Sequence, residues 1–131
     1  MSEQTSSGVM AGKRGLIMGV ANDRSIGWGI ASKLAEHGAE LAFTFQGEAL
    51  QKRVIPLAES VGSNLVLPCD VTDESSVDAV FDRLKSEWGE LDFVLHAIAY
   101  SDKEELKGGY VDTSRDNFQR TMDISVYSFT E

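Results

Sequence analysis

Leu16-Ile17-Met18-Gly19-Val20-Ala21-Asn22-Asp23-Arg24-Ser25-Ile26-Gly27-Trp28-Gly29-Ile30-Ala31 passes from an apolar run through a glycine-bearing loop into an amphipathic pattern. That order reads as strand, turn and helix, an arrangement in which backbone N–H groups and a helix dipole receive a pyrophosphate. Gly19 lets the chain leave the strand at little steric cost. Gly27 and Gly29 remove side chains where a cofactor or a neighbouring strand must come close. Ser25 stands either to cap the helix or to donate its hydroxyl to a phosphate. The interval from Gly19 to Gly27 is longer than a G-x-G-x-x-G turn requires. Glycines alone would equally make a tight turn with close helix packing, and it is the flanking strand and helix that favour dinucleotide binding.

Outward from this stretch the pattern repeats. The first strand is expected over residues 16–20 and the first helix from about Gly27 to His37-Gly38, with Ile30 and Leu34 on its inner face. Residues 41–45 read as a second strand. Leu50, Val54, Leu57 and Val61 recur at helical spacing before Gly62, with Pro56 inside the pattern expected to kink the helix or restart a turn. Residues 65–69 make a third strand. Thr72 or Asp73 caps a helix whose stripe is Val77, Phe81, Leu84 and Trp88, closed by Gly89. Residues 93–98 form a fourth strand, apolar enough to be buried on both faces. A polar loop over 100–112 turns at Gly108-Gly109, and a last helix from Thr113 or Ser114 carries Phe118, Met122, Val126 and Phe129.

Strands alternating with long crossovers give an α/β fold. The chain is expected to be the N-terminal part of a Rossmann-type doubly wound parallel sheet with strand order 3-2-1-4. Ligands of such sheets bind beyond the carboxyl ends of the strands, here at the switch between the first and fourth. The tips are Gly19-Val20, Gln46, Asp70-Val71 and Ile98-Ala99.

With 131 residues the chain suits one domain with a real core, expected over residues 13–131 after a mobile tail at 1–12. The polar start is no signal peptide, and no apolar run approaches a membrane span. A net charge of −9 argues against nucleic acid or an anionic membrane as the main partner. Cys69 is the only cysteine, which excludes internal disulfides and multi-cysteine metal sites and fits a reducing cytoplasm. His96 lies in an apolar strand and reads as a packed residue, while His37 at a helix end is explained by the dipole. Neither suggests zinc. Tyr100 and Lys107, seven residues apart, would share a helix face, but their segment is charged and turn-bounded and the spacing is accidental.

At the second tip, Gln46 can bond a ribose hydroxyl without charge, and no arginine sits beside it for a 2′-phosphate, so NADH is favoured over NADPH. An exposed loop amide would read the same way. Asp70 either accepts a hydrogen bond from an adenine amino group or caps the turn into the next helix. Val71 offers an apolar wall, and Ile98 packs toward the nicotinamide end.

The long glycine loop with Ser25-Ile26, then Gly29-Ile30-Ala31, resembles bacterial NADH-dependent enoyl-[acyl-carrier-protein] reductases. So do Gly38-Ala39-Glu40-Leu41-Ala42-Phe43-Thr44-Phe45-Gln46, Cys69-Asp70-Val71, His96-Ala97-Ile98-Ala99 and Asp123-Ile124-Ser125. These enzymes are divergent short-chain dehydrogenase/reductases, and the similarity covers nearly the whole chain after the tail. It implies that Gly19, Ser25, Ile26, Gln46, Asp70, Val71 and Ile98 contact NAD, and that the backbone of Ser101 faces the substrate. The family often has Ser and Gly where this chain has Ala97 and Ala99, and the methyl of Ala99 alters the shape of the pocket.

The resemblance further implies a cytoplasmic homotetramer that reduces the trans-2 double bond of an enoyl chain on acyl carrier protein, in fatty acid biosynthesis. Its catalytic tyrosine and lysine would lie beyond Glu131, so the chain is expected to be the cofactor-binding half of a longer enzyme and inactive alone. Two other readings stay open. A short-chain dehydrogenase acting on a carbonyl or alcohol would show Tyr-x3-Lys downstream rather than Tyr-x6-Lys. A non-catalytic nucleotide-binding module would stop at Glu131.

Overall fold

The structure, a computed structural model, describes residues 8–131. The chain divides into two compact units, Met1–Ala97 and Ile98–Glu131. In the first, strands β1 (Arg14–Met18), β2 (Glu40–Phe45), β3 (Val66–Pro68) and β4 (Phe93–His96) form one parallel sheet ordered β3-β2-β1-β4. Ile17 stands between Phe43 of β2 and Leu95 of β4, and Leu16 between Ala42 and Val94. The chain builds outward from β1 to β3, then crosses back past β1 to lay down β4. The strand order therefore reverses between β1 and β4.

Helices α1 (Ile26–Glu36), α2 (Glu48–Ser60) and α3 (Glu74–Trp88) fill the crossovers. Ile17, Leu41 and Phe43 share a buried cluster with Ala31 of α1 and Val54 and Ala58 of α2. Leu16, Met18 and Ala42, alternate residues that point to the opposite face, are buried as well. Burial on both faces explains why Gly15-Leu16-Ile17-Met18 is a continuous run rather than an alternating one. At the other end of the sheet Arg14 ties three elements together. Its main-chain N–H donates to Asp92 at 2.8 Å, its guanidinium donates to the Trp88 carbonyl at 2.9 Å, and it pairs with Glu40 at 3.2 Å.

Several boundaries and faces differ from the sequence reading. β1 ends at Met18 because Gly19 turns out of the extended region at φ 104°. On α1 the fully buried residues are Gly27 and Ala31, and Leu34 packs against the core as expected, whereas Ile30 is exposed. On α3 it is Val77, Val80 and Leu84, whereas Phe81 is exposed. Small residues let α1 lie close to the sheet, so the larger neighbour turns outward. β4 is not buried on both faces: it is the last strand of the described sheet, and Val94 is 40% exposed. α2 runs through Pro56 without a break, anchored on either side of it by buried Val54 and Ala58.

Residues 1–7 of the expected tail lie outside the described residues. Residues 8–12 are not a free tail. They form a turn in which the Met10 N–H donates to the His37 carbonyl at 2.9 Å, and Met10 packs on the core.

The second unit begins directly after Ala97 in the chain. It contains two 3-10 turns, Lys103–Leu106 and Tyr110–Asp112, and helix α4 (Arg115–Met122), followed by a π-helical turn (Asp123–Tyr127) and a last helical turn (Ser128–Thr130). Ser114 caps α4 by accepting the Asn117 N–H at 3.1 Å. No helix among the described residues is long and apolar enough to cross a membrane.

Candidate functional site

Because the strands are parallel, the residues that follow them emerge at one edge of the sheet. Gly19, Gln46 and Asp70-Val71 follow β1, β2 and β3 there, and the β1–α1 loop lies between Gly19 and Ile26. The Ala97 N–H donates to the Met18 carbonyl at 2.9 Å, extending the β1–β4 pairing one residue past the strands. A Cβ on Gly19 would strike the Ala97 carbonyl oxygen, and its φ of 104° disfavours any side chain. Gly27 is buried, and a Cβ there would lie 3.4 Å from the Ala97 methyl and 3.5 Å from Val20. Gly29 is different: a Cβ would meet nothing within 4 Å, so no neighbour in the chain requires glycine there.

Ser25 occupies the N-cap position of α1 but makes no side-chain cap. Its Oγ instead accepts the N–H of Ala21 at 3.0 Å and of Asn22 at 3.1 Å, winding the loop around itself. Asn22 Oδ1 accepts the Arg24 N–H at 2.8 Å and completes the turn. With both Oγ acceptor positions used, the Ser25 hydroxyl proton is left to donate. The first turn of α1 has amide groups with no side-chain cap and no acidic side chain. Ile26, at the start of that turn, is 81% exposed.

Gln46 is exposed, and Gly47 beside it turns the chain into α2 at φ 86°. Asp70 is half-buried and, as one of its two expected roles, caps the turn that leads into α3 rather than the helix itself. Its Oδ1 accepts from the Thr72 N–H at 2.9 Å and from the Thr72 hydroxyl at 2.6 Å. The cap is Asp73, which accepts the Ser75 N–H at 3.1 Å and the Ser75 hydroxyl at 2.7 Å. The Ser75 hydroxyl is the main cause holding the Asp73 carboxyl below the usual carboxylate range. His96 sits half-buried opposite Met18, a packed strand residue.

In the second unit, Ile98 is half-buried and Ser101 accepts a hydrogen bond from Asn117 Nδ2 at 3.2 Å. Tyr100 and Lys107 share no helix, and the Arg120 guanidinium lies 4.7 Å from the Tyr100 ring centre. A shallow apolar groove of about 430 Å³ runs along Phe118, Met122, Val126 and Tyr127. Asn117, the one buried residue of this unit, is missing from the sequence reading. Its only local signal was its place three residues after the cap Ser114, and its partners at 101–102 are distant in sequence.

The model of the family described as Enoyl-(Acyl carrier protein) reductase matches residues 19–131. The chain belongs to that family. The match begins at the glycine that leaves β1 and takes in every strand-tip residue described above. Enoyl-[acyl-carrier-protein] reductase [NADH] 2 of Rhizobium meliloti (strain 1021) is 69% identical over 125 residues, 95% of this reductase-family chain and 47% of the relative. The crystal structure of FabI from Candidatus Liberibacter asiaticus superposes with a TM-score of 0.92 at 58% identity, covering 94% of this chain and 48% of that one. The enoyl-(acyl-carrier-protein) reductase of Anaplasma phagocytophilum, solved in complex with NAD, gives 0.89 at 60% identity, covering 92% and 46%. The chain thus spans about half the length of the relatives it matches.

Proposed function

We propose that this chain forms the dinucleotide-binding half of an NADH-dependent enoyl-[acyl carrier protein] reductase. The substrate is a trans-2-enoyl thioester on acyl carrier protein, reduced to the saturated acyl chain in fatty acid biosynthesis. The observation that carries the reading is the β1–α1 loop. It is wound on Ser25 Oγ, opens onto an uncapped helix start, and leaves β1 through a glycine that admits no side chain. Oriented N–H groups, one spare hydroxyl proton and a first helical turn without an acidic side chain suit a pyrophosphate.

Gly19, Ser25 and Ile26 then border the phosphates, and Gln46 bonds the adenosine ribose. Asp70 offers the adenine amino group its Oδ2, since Oδ1 is held by Thr72, and Val71 walls the ring. Ile98 borders the nicotinamide, and Ser101 faces the thioester. Bound NADH supplies the hydride that adds to the β-carbon of the enoyl chain. A proton then adds to the α-carbon, so that one double bond is lost and two C–H bonds form. The residues of this chain hold and orient the reactants, and the proton donor is not among them.

The reading includes a homotetramer. The half-exposed Phe118 and Met122 of α4, with Val126 and Tyr127 of the π-helical turn, line one groove and support self-association. A cytoplasmic setting is supported by a lone, buried Cys69. The full-length protein, given NADH and an enoyl thioester on acyl carrier protein, should lose NADH absorbance and release saturated acyl product. NADH oxidation without a saturated product, or with a ketone or aldehyde substrate instead, would overturn the proposal.

A further inference from the structure

We propose that Asn117, assisted by Ser125, is a positioning residue for the thioester substrate, fixing the main chain of residues 100–102 so that Ser101 is presented in one conformation. The inference rests on the reading of the chain as part of an enoyl thioester reductase. Residues 98–102 leave the carboxyl end of β4, the strand at the reversal of strand order, which is where a substrate of such a sheet meets the chain.

Three consecutive residues there are held from α4 and the π-helical turn. Ser125 Oγ accepts the Tyr100 N–H at 2.9 Å and lies 3.2 Å from the Tyr100 carbonyl, to which it donates. Asn117 Nδ2 donates to Ser101 Oγ at 3.2 Å, and Asn117 Oδ1 accepts the Asp102 N–H at 2.9 Å. Thr121 Oγ1, 3.4 Å away, supports the same Oδ1.

Asn117 is 7% exposed. A buried amide adds little net stability over an apolar side chain of its size, because its partners must be taken from water too. What it adds is direction: donor and acceptor meet two adjacent residues and exclude other loop conformations. The π-helical turn shifts the helix register by one residue where Ser125 sits, a feature that recurs at functional sites.

The test compares full-length wild-type, Asn117→Leu and Asn117→Asp proteins. Asn117→Leu keeps the branched shape of the side chain and removes its bonds to Ser101 and Asp102. It should raise KM for the enoyl thioester about tenfold, the scale of one lost directional bond, and leave the Kd for NADH unchanged within about twofold. Amide exchange at Asp102 should accelerate while β1 and β2 keep their protection. Asn117→Asp should recover most of the KM. Its carboxylate accepts from the Asp102 N–H, and the Ser101 hydroxyl can rotate to donate to it.

A folded Asn117→Leu protein with wild-type KM and wild-type exchange at Asp102 would overturn the inference. So would thioester KM and NADH Kd worsening together in step with a lowered Tm, which marks a bulk structural role. A wild-type protein that reduces no enoyl thioester would refute the proposed reaction instead. Exchange at Asp102 would still decide the clamp, unchanged rates overturning it.

Discussion

Gly19→Ala tests the strand exit most directly. Gly19 has φ 104°, where a residue with a Cβ costs roughly 1–3 kcal/mol. The added Cβ would also overlap the Ala97 carbonyl oxygen, a backbone atom that cannot rotate away. Relief must come from separating β4 from β1, which weakens the Ala97 N–H to Met18 carbonyl bond of 2.9 Å, worth about 1 kcal/mol net. The two effects together come to about 3 kcal/mol of lost stability. Urea denaturation of the full-length protein reads this as a lower midpoint at unchanged slope. Calorimetry should show NADH binding weakened at least tenfold in the fraction still folded, since the same movement displaces the loop that is wound on Ser25 Oγ. Gly29→Ala is the matched control. Its Cβ meets nothing within 4 Å, and alanine in a helix is favoured over glycine by about 1 kcal/mol, so stability should hold or rise. Equal midpoints for wild type and Gly19→Ala would refute the reasoning.

Gln46→Arg should narrow the preference for NADH over NADPH by pairing with the 2′-phosphate; a wild-type enzyme already as efficient with NADPH would defeat the assignment of Gln46. Ser25→Ala removes the acceptor of the Ala21 and Asn22 N–H groups and should weaken NADH binding about tenfold with little change in Tm, read by titration calorimetry. Asp73 has its pKa lowered by folding, so between the folded and unfolded values the unfolded chain binds more protons and stability rises with pH. Its contribution is therefore present above the unfolded value of about 3.9 and is lost as pH falls through the lower folded one. Asp73→Asn keeps a capping oxygen without the charge, and its urea midpoint should fall less than that of wild type across the same window.

The alternation of apolar runs and helical stripes determined the α/β class, because class depends on local periodicity, and right-handed crossovers between parallel strands led to the expected doubly wound order 3-2-1-4. Gly19 was also legible, since a glycine at a strand end before a helix has few uses. The helix caps Ser114 and Asp73 were within reach for the same reason: a cap bonds to an amide two or three residues away. What the neighbours decide was not legible. Periodicity pointed to Ile30 of α1 and Phe81 of α3, yet in the fold their neighbours Ala31 and Val80 are the buried ones. Ser25 has the chemistry of a cap, yet the loop path brought the N–H groups of Ala21 and Asn22 to its oxygen first. In its own stretch Asn117 carried no signal beyond its place three residues after the cap Ser114. Its amide acquires meaning only when residues 101–102, fifteen or more positions earlier, are brought onto α4. A sequence records which bonds a side chain can make, and tertiary structure selects among them by deciding which partners arrive within about 3 Å.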